Sequence, residues 1–134
     1  LNFRGEYMVQ ELSSNMEDYL EAVLLVADDN GRARITDIRD MLGVKTPSVT
    51  GAVASLVKMG FLMHEPYRGV ELTPKGRAAA EDVKRRHAIL SRFLREVIGV
   101  SARTADIDAC KMEHTVSRET ISKLHEYLHK QTDK

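Results

Sequence analysis

The sequence predicts a mostly α-helical protein, with a winged helix-turn-helix over residues 14–80 followed by an all-helical domain over residues 81–134. Helical hydrophobic periodicity dominates the chain, and the short apolar runs of a two-stranded hairpin occur at residues 61–72. Two short helices separated by a glycine turn precede this hairpin. That order of elements is typical of a winged helix-turn-helix.

Caps and breakers bound the first two helices. Ser14 and Glu17 have the spacing of a capping box in front of an apolar-periodic run that ends at Ala27. Thr36 is expected to cap a short helix that Gly43 terminates. These two helices would form the first part of the winged helix-turn-helix.

A proline and a glycine bound the next helix. Pro47 is tolerated in a first helical turn, and the helix should run to about Met59, where Gly60 closes it. Strands at 61–64 and 70–72 follow, joined by a turn. The apolar residues of the two short helices should enter the core: Ile35, Ile38, Leu42, Val49, Val53, Leu56 and Val57.

The C-terminal domain is predicted to be helical throughout. A long helix opens at Thr73 and Pro74 and reaches Ile98, where Gly99 stops it. A shorter helix contains the cysteine, and a last helix follows Ser117, a favourable N-cap residue.

The 134-residue chain has no net charge, but its charges are unevenly distributed. Residues 1–30 contain one basic and seven acidic residues, a balance of −6, whereas residues 31–80 contain eight basic and four acidic residues, a balance of +4. A basic middle segment favours contact with phosphate. No apolar run approaches the roughly 20 residues of a membrane helix, so we expect no membrane association. The single Cys110 favours a reducing, cytoplasmic location.

The start of the second short helix has the residue types of a DNA-reading helix. Its side chains are small or hydroxylated, so the helix could enter the major groove while nearby basic side chains bind phosphates. No Arg, Asn or Gln stands at the helix start, which favours recognition of DNA shape. A winged helix that binds protein is the alternative. The predicted DNA-contacting residues are Arg34, Lys45, Thr46, Pro47, Ser48, Thr50, Gly51, Lys58 and Arg68.

Three metal-binding residue types occur close together near the C-terminus. Cys110, Glu113 and His114 stand at i, i+3 and i+4, so on a helix the thiol, carboxylate and imidazole would share one face. Each residue alone has an ordinary explanation, either as solvated surface or, for the cysteine, as a small buried side chain. If the helices converge, the candidate ligands of a divalent transition metal are Asp18, Glu21, His87, Cys110, Glu113 and His114.

Two other functions remain possible at this level. His125, Glu126 and His129 form the H-E-x-x-H pattern of zinc metallopeptidases, but no third ligand stands downstream. We therefore expect a solvated helix there and no enzymatic activity. A winged-helix regulator that senses a small organic ligand is the other alternative, and chelation of metal would not release it from DNA.

Five segments of the chain, in order, resemble the iron- and manganese-dependent repressors, which are the diphtheria toxin repressor family with its two-domain manganese transport regulator branch. They are 16–21 (MEDYLE), 46–50 (TPSVT), 67–76 (YRGVELTPKG), 86–90 (RHAIL) and 113–117 (EHTVS). The resemblance covers residues 14–128. It implies a homodimeric, cytoplasmic, metal-activated repressor of metal-ion uptake that binds a double-stranded DNA operator. The C-terminal helical domain would then be a dimerisation domain.

The resemblance also implies a set of metal ligands. Cys110 stands where the manganese branch has Glu and the iron branch has Cys, whereas Asp18 stands where the iron branch has Met. Ser91 replaces a carboxylate, and Asp106 a histidine, that the iron branch uses in a second site. This hybrid set predicts Fe(II) or Mn(II), slightly favouring Fe(II), with Zn(II), Co(II) or Ni(II) able to bind in vitro. The residues that match ligands of the manganese branch are Asp18, Glu21, His87, Glu113 and His114.

The domain assignment of these ligands suggests a mechanism. Asp18 and Glu21 belong to the predicted DNA-binding domain, and the other ligands belong to the C-terminal domain. A bound ion would tie each winged helix to the dimer core. It would thereby fix the two recognition helices about one DNA turn apart, roughly 34–36 Å.

Overall fold

The computed structural model of this chain describes residues 12–132 and divides after Glu81 into two units. The helices are α1 (Ser14–Val26), α2 (Ile35–Leu42), α3 (Thr46–Lys58), α4 (Pro74–Phe93), α5 (Ala102–Met112) and α6 (Arg118–Thr132). The strands are β1 (Arg32–Ala33), β2 (Leu62–Glu65) and β3 (Gly69–Leu72). The predicted fold class, a winged helix-turn-helix followed by an all-helical domain, is confirmed.

The sheet of the N-terminal unit contains a strand that the sequence did not indicate. Within residues 12–132, three antiparallel strands pair in the order β1-β3-β2. The expected hairpin is present, with Leu62 opposite Leu72. The additional strand β1 is two residues long, too short for any period-2 pattern, and its Arg32 lies opposite Glu71. An ion pair of 2.7 Å between these two side chains joins the wing to the segment that precedes α2.

The core of the N-terminal unit lies between α1, α2, α3 and the sheet. Val57, which we expected in this core, is instead 39% exposed. Positions 49, 53 and 56 already follow one stripe at i, i+4 and i+7, and Val57 lies beside that stripe at the end of the helix. Of the other predicted core residues, Ile38, Val49, Val53 and Leu56 are buried, and Ile35 and Leu42 pack against them half-buried.

Two predicted helix caps are wrong by one or two residues. Ser13, not Ser14, caps α1, because its backbone is extended (φ −74°, ψ 164°) and its Oγ accepts the N–H three residues on at 3.2 Å. Ser14 is therefore the first helical residue, and Glu17 lies one position too late for a capping box. In α2, Arg34 occupies the cap position, but its side chain does not hydrogen-bond to the backbone of the helix, and Thr36 is already helical.

The long helix changes form before its predicted end. The α-helical hydrogen bonding of α4 stops at Phe93, and residues Leu94–Ile98 continue as a wider π-helical segment. Gly99 then ends the segment with φ +86°, a left-handed conformation that glycine adopts without steric cost. The predicted stop is therefore confirmed. The C-terminal core contains Ile89, Leu90, Ala109, Ile121 and Leu128.

A close backbone contact fixes the start of α4 against the wing. The Thr73 hydroxyl accepts the N–H of Gly76 at 3.0 Å and donates to the carbonyl of Gly60 at 2.6 Å, so Thr73 is the helix cap. A Cβ added to Gly76 would lie 1.9 Å from the carbonyl oxygen of Phe61. Because that atom is backbone, the contact cannot be relieved by a change of rotamer.

We expect Gly76→Ala to lower the free energy of unfolding by about 1–3 kcal/mol or more, since the added methyl group must displace the backbone of Phe61. Gly51→Ala is the matched control: nothing lies within 4 Å of the added Cβ in the middle of α3. There the better helix propensity of alanine should raise stability by roughly 0.5–1 kcal/mol. Urea unfolding followed by circular dichroism measures both values, and equal stability of the Gly76 variant and the native chain would contradict the packing described.

Candidate metal centre and DNA-binding surface

His87 is the centre of a cluster of polar side chains within the C-terminal unit. Its ring lies on α4, and its Nδ1 is 2.8 Å from Oε2 of Glu113, beyond the end of α5. Its Nε2 is 2.7 Å from Oδ1 of Asp106, which lies within α5. The imidazole therefore has a carboxylate at each of its two nitrogen atoms.

Cys110 completes a three-donor group around the same ring. Its Sγ lies 3.7 Å from Nδ1 of His87. One donor atom each from His87, Cys110 and Glu113 lie within 4.8 Å of one another. The thiol is exposed, the imidazole is half-buried, and the carboxylate is 1% exposed, so the group faces solvent on the sulfur side.

The end of α5 separates two residues that were expected to share a helical face. Glu113 still donates its N–H to the carbonyl of Ala109 at 2.9 Å, so it keeps the face of Cys110. His114 lies beyond the helix, where the chain turns back to hydrogen-bond with the carbonyl of Met112. The prediction that all three residues share one helical face is therefore wrong for His114, whereas its role as a metal ligand stays a prediction. Its Nε2 nevertheless remains 3.5 Å from Oε1 of Glu113.

A buried arginine holds the backbone at this point. The guanidinium of Arg86, the residue before His87, donates from Nη1 to the carbonyl of Glu113. Its Nε lies 3.1 Å from Oδ2 of Asp82, one helical turn earlier. Neither Arg86 nor Asp106 was among the candidate ligands predicted from the sequence. The Arg-Arg-His segment gives a weak signal for Arg86, and Asp106 was noted only as a departure from the second site of the iron branch.

The electrostatic environment of His87 favours its protonated form when no metal is bound. Burial alone would lower the pKa of His87, but the hydrogen bonds and charges of Asp106 and Glu113 outweigh it. The net effect raises the pKa above its ordinary value. Metal ligation requires the neutral ring, so a metal ion has to displace a proton here.

The chemistry of this donor set fits a divalent transition metal. A thiolate, an imidazole and a carboxylate are the ligand types of such ions, and the three come from α4 and from the end of α5. A carboxylate as deeply buried as that of Glu113 also needs a compensating positive charge, which the protonated His87 ring or a bound cation supplies.

Two other predicted ligands belong to α1, and the H-E-x-x-H residues belong to α6. Asp18 and Glu21 are three residues apart on α1 of the N-terminal unit, and both are half-buried. In α6, the exposed rings of His125 and His129 stack with their centroids 6.3 Å apart. Over residues 12–131, no third imidazole, thiol or carboxylate joins those two rings in a group of possible metal ligands.

The predicted DNA-contacting residues all lie on the surface of the N-terminal unit. The Thr50 hydroxyl donates to the carbonyl of Thr46 at 3.1 Å, which leaves its oxygen lone pairs directed outward as acceptors. Lys45 occupies the cap of α3, and Pro47 lies in its first turn as expected. The exposed set is Arg34, Lys45, Thr46, Pro47, Ser48, Thr50, Gly51, Lys58 and Arg68.

The tip of the wing contains one residue that sequence reasoning missed. Tyr67 has φ +70°, rare for a non-glycine residue, and its side chain is fully exposed. The neighbouring Arg68 lies 3.5 Å from Glu65 across the turn. We therefore predict that this exposed aromatic side chain contributes to the DNA-contacting surface. Its position between Pro66 and Gly69 is the one sequence signal that could have identified it.

Both halves of the chain match models of known protein domains. Residues 11–70 match the iron dependent repressor N-terminal DNA binding domain, and residues 73–133 match the iron dependent repressor metal binding and dimerisation domain. A relative from Methanocaldococcus jannaschii, the HTH-type transcriptional regulator MJ0568, is 35% identical over 92% of this chain and 99% of its own length. The chain belongs to the iron-dependent repressor family.

A second relative and a solved structure agree with this family assignment. The HTH-type transcriptional regulator MntR of Geobacillus kaustophilus is 40% identical over 82% of this chain and 77% of its own length. The structure of the manganese regulator SloR superposes with a TM-score of 0.77 at 25% identity, over 88% of this chain. The chain spans about half of that longer protein, 55% of its length.

Membership of the iron-dependent repressor family decides the broad function. The chain is a metal-dependent transcriptional regulator with a DNA-binding and a metal-binding domain. The family consists of regulators and not of enzymes, so the H-E-x-x-H pattern of α6 has no peptidase role. Within the described part of the chain, no helix has the length and apolar character needed to cross a lipid bilayer.

We expect His87→Ala to weaken binding of Mn(II) by at least about tenfold, because the ring is the donor that contacts both Cys110 and Glu113. His125→Ala removes an exposed imidazole from α6 and should leave the affinity unchanged. Competition with a fluorescent chelator measures both affinities. Equal loss in the two variants would show that the binding is non-specific.

Proposed function

We propose that this protein is a cytoplasmic, homodimeric repressor of metal-ion uptake genes that binds its operator when Fe(II) or Mn(II) is bound. The observation that best supports the proposal is the convergence of His87, Cys110 and Glu113 within 4.8 Å, inside the domain whose family binds metal. The exposed basic and hydroxyl-bearing residues of the N-terminal unit supply the DNA-contacting surface.

The recognition helix α3 suits groove binding because the side chains of its first turns are small. The first turns of α3 expose Thr46, Ser48, Thr50 and Gly51, so the helix backbone can approach the bases closely. Lys45 and Lys58, near its two ends, can neutralise phosphates on either side of the groove. Because the start of the helix lacks Arg, Asn and Gln, the operator would be selected largely by its shape.

The proposed ligand set joins the two domains. His87, Cys110, Glu113 and His114 would bind the ion from the C-terminal domain, and Asp18 and Glu21 would approach it from α1. When bound, the cation neutralises these carboxylates and links side chains that would otherwise repel one another. The winged helices of a dimer would then be held about one DNA turn apart, roughly 34–36 Å.

The identity of the ion follows from the balance of donors. The Cys110 thiolate favours the softer Fe(II), whereas Asp18, Glu21 and Glu113 favour Mn(II). We propose Fe(II) as the physiological ion, with Mn(II) as the alternative, which is the metal of the structurally similar regulator SloR. Zn(II), Co(II) and Ni(II) would bind in vitro.

A second copy of the chain would cover apolar side chains of the C-terminal unit. Val97, Ile98, Ile107 and Tyr127 are large hydrophobic residues, and each is at least 39% exposed. Apolar residues that remain exposed on one unit are typical of an interaction surface. Their presence in the domain that matches the family's dimerisation domain supports a homodimer.

Metal-stimulated DNA binding tests this function. The probe is a duplex selected from a random library with Mn(II)-loaded protein, measured anaerobically with Fe(II) or Mn(II). We expect Glu21→Ala and His114→Ala to remain folded dimers but to lose the stimulation, because each removes a proposed ligand. Glu119→Ala, an exposed carboxylate on α6, is the matched control and should bind like the native chain.

Removing the metal with a chelator tests the same proposal in the opposite direction. Excess chelator should release the native protein from the selected duplex. Retention of DNA after chelation, or normal stimulation of the Glu21 and His114 variants, would contradict the assignment. Such a result would favour a regulator that senses an organic ligand.

The salt dependence of binding tests the DNA-contacting surface. We expect Lys45→Ala to reduce the slope of log affinity against log salt concentration by about 1, because one phosphate contact is lost. Lys111→Ala removes an exposed lysine of the C-terminal unit and should leave the slope unchanged. Fluorescence anisotropy at several salt concentrations gives both slopes, and an unchanged slope for Lys45→Ala would remove that residue from the interface.

A further inference from the structure

Asp106 and Cys110 approach the two nitrogen atoms of a single imidazole ring. They are four residues apart and therefore share one face of α5. Cys110 lies near Nδ1 of His87, at 3.7 Å, and Asp106 lies at Nε2, at 2.7 Å. One turn of α5 thus contacts both edges of the ring.

This arrangement determines which nitrogen is available to a metal. A neutral imidazole has one N–H, and only the other nitrogen can donate an electron pair to a metal. An ionised carboxylate can only accept a hydrogen bond, so Asp106 favours a proton on Nε2 of His87, as Glu113, 2.8 Å from Nδ1, favours one on Nδ1. A cation bound by Glu113 and Cys110 would replace the proton on Nδ1, so the proton that Asp106 accepts is the one that remains. In that form Nδ1, which faces Cys110 and Glu113, has the free electron pair.

We propose that Asp106 is a positioning residue that holds His87 with its proton on Nε2 and its Nδ1 toward the metal. The inference rests on the proposed metal-dependent function and adds to it a residue outside the ligand set. A carboxylate hydrogen-bonded to a metal-binding histidine fixes the orientation of the ring and increases its basicity as a ligand.

The geometry favours this role over direct ligation of a second ion. The 2.7 Å separation between Oδ1 of Asp106 and Nε2 of His87 is a hydrogen-bond distance. Among the described residues, Asp106 belongs to no group of three or more possible metal ligands. Ser91, the other residue that differs from the second site of the iron branch, has a neutral hydroxyl group, which is a poor ligand for these ions.

The first measurement is metal affinity in the intact chain. We expect Asp106→Ala to weaken Mn(II) binding by roughly 10–100-fold, the loss typical of such a supporting residue, without changing the number of ions bound per chain. Asp106→Asn keeps an acceptor oxygen at the same reach, so its loss should be smaller. Asp108→Ala is the matched control, because it removes the same negative charge from another side of α5.

The second measurement shows which nitrogen atom of the His87 ring is protonated and which binds the metal. Zn(II), which is diamagnetic, allows the nitrogen chemical shifts of His87 to be recorded by ¹H–¹⁵N NMR, with His87→Gln identifying the signals among the five histidines. We expect a protonated Nε2 and a metal-bound Nδ1 in the native protein, in Asp106→Asn and in Asp108→Ala. Asp106→Ala should show a mixture of ring forms. A general electrostatic effect would alter the affinity but not this ratio.

Several results would overturn the proposal. They are native affinity in Asp106→Ala, an unchanged ring form in that variant, or the loss of one bound ion per chain, which would make Asp106 a ligand. If Asp106→Ala does not fold, the same readouts in Asp106→Asn decide the question, because a metal-bound Nε2 there excludes the role. Absence of specific metal binding by the native chain would instead contradict the proposed function.

Discussion

The contact between the buried carboxylate of Glu113 and the ring of His87 is the interaction on which the C-terminal unit depends. At 1% exposure, that carboxylate cannot be hydrated and requires a positive partner. His87 supplies one from α4, and the neighbouring Arg86 holds the carbonyl of the same residue. These contacts place the end of α5 where Cys110 faces the ring, so the arrangement that neutralises the carboxylate also brings the proposed metal ligands together.

Much of the fold could be predicted because residue types mark where its helices begin and end. Gly43 and Gly99 end their helices with positive φ, and Thr73 caps α4, as their residue types indicate. The strand β1 could not be predicted, because two residues contain no periodicity and pair only with a distant partner. Ser13 and Ser14 have identical side chains, so only the backbone decides which of them caps α1.

In the candidate site, too, residue types could be interpreted from the sequence, whereas the positions of the residues in space could not. His87, Cys110 and Glu113 were predicted as ligands from their types and from the family resemblance, and the structure brings one donor atom of each within 4.8 Å. At the end of α5, which removes His114 from the helical face, Arg86 of α4 hydrogen-bonds to the carbonyl of Glu113, a tertiary contact that no local pattern encodes. Asp106 was noted as a departure from the iron branch, but its hydrogen bond to His87 requires two helices to be packed together.

The proposed ligands His87 and Cys110 are 23 residues apart in sequence, so an ion held by both would close a loop, as a covalent cross-link does. Binding that occurs only in the native state stabilises it by mass action, by about 2.7 kcal/mol when the free ion is at 100 times its dissociation constant. Transient unfolding exposes a chain to proteases, and that exposure falls as the native state is stabilised. The abundance of the regulator in the cell should therefore rise with metal supply, independently of any change in its own synthesis.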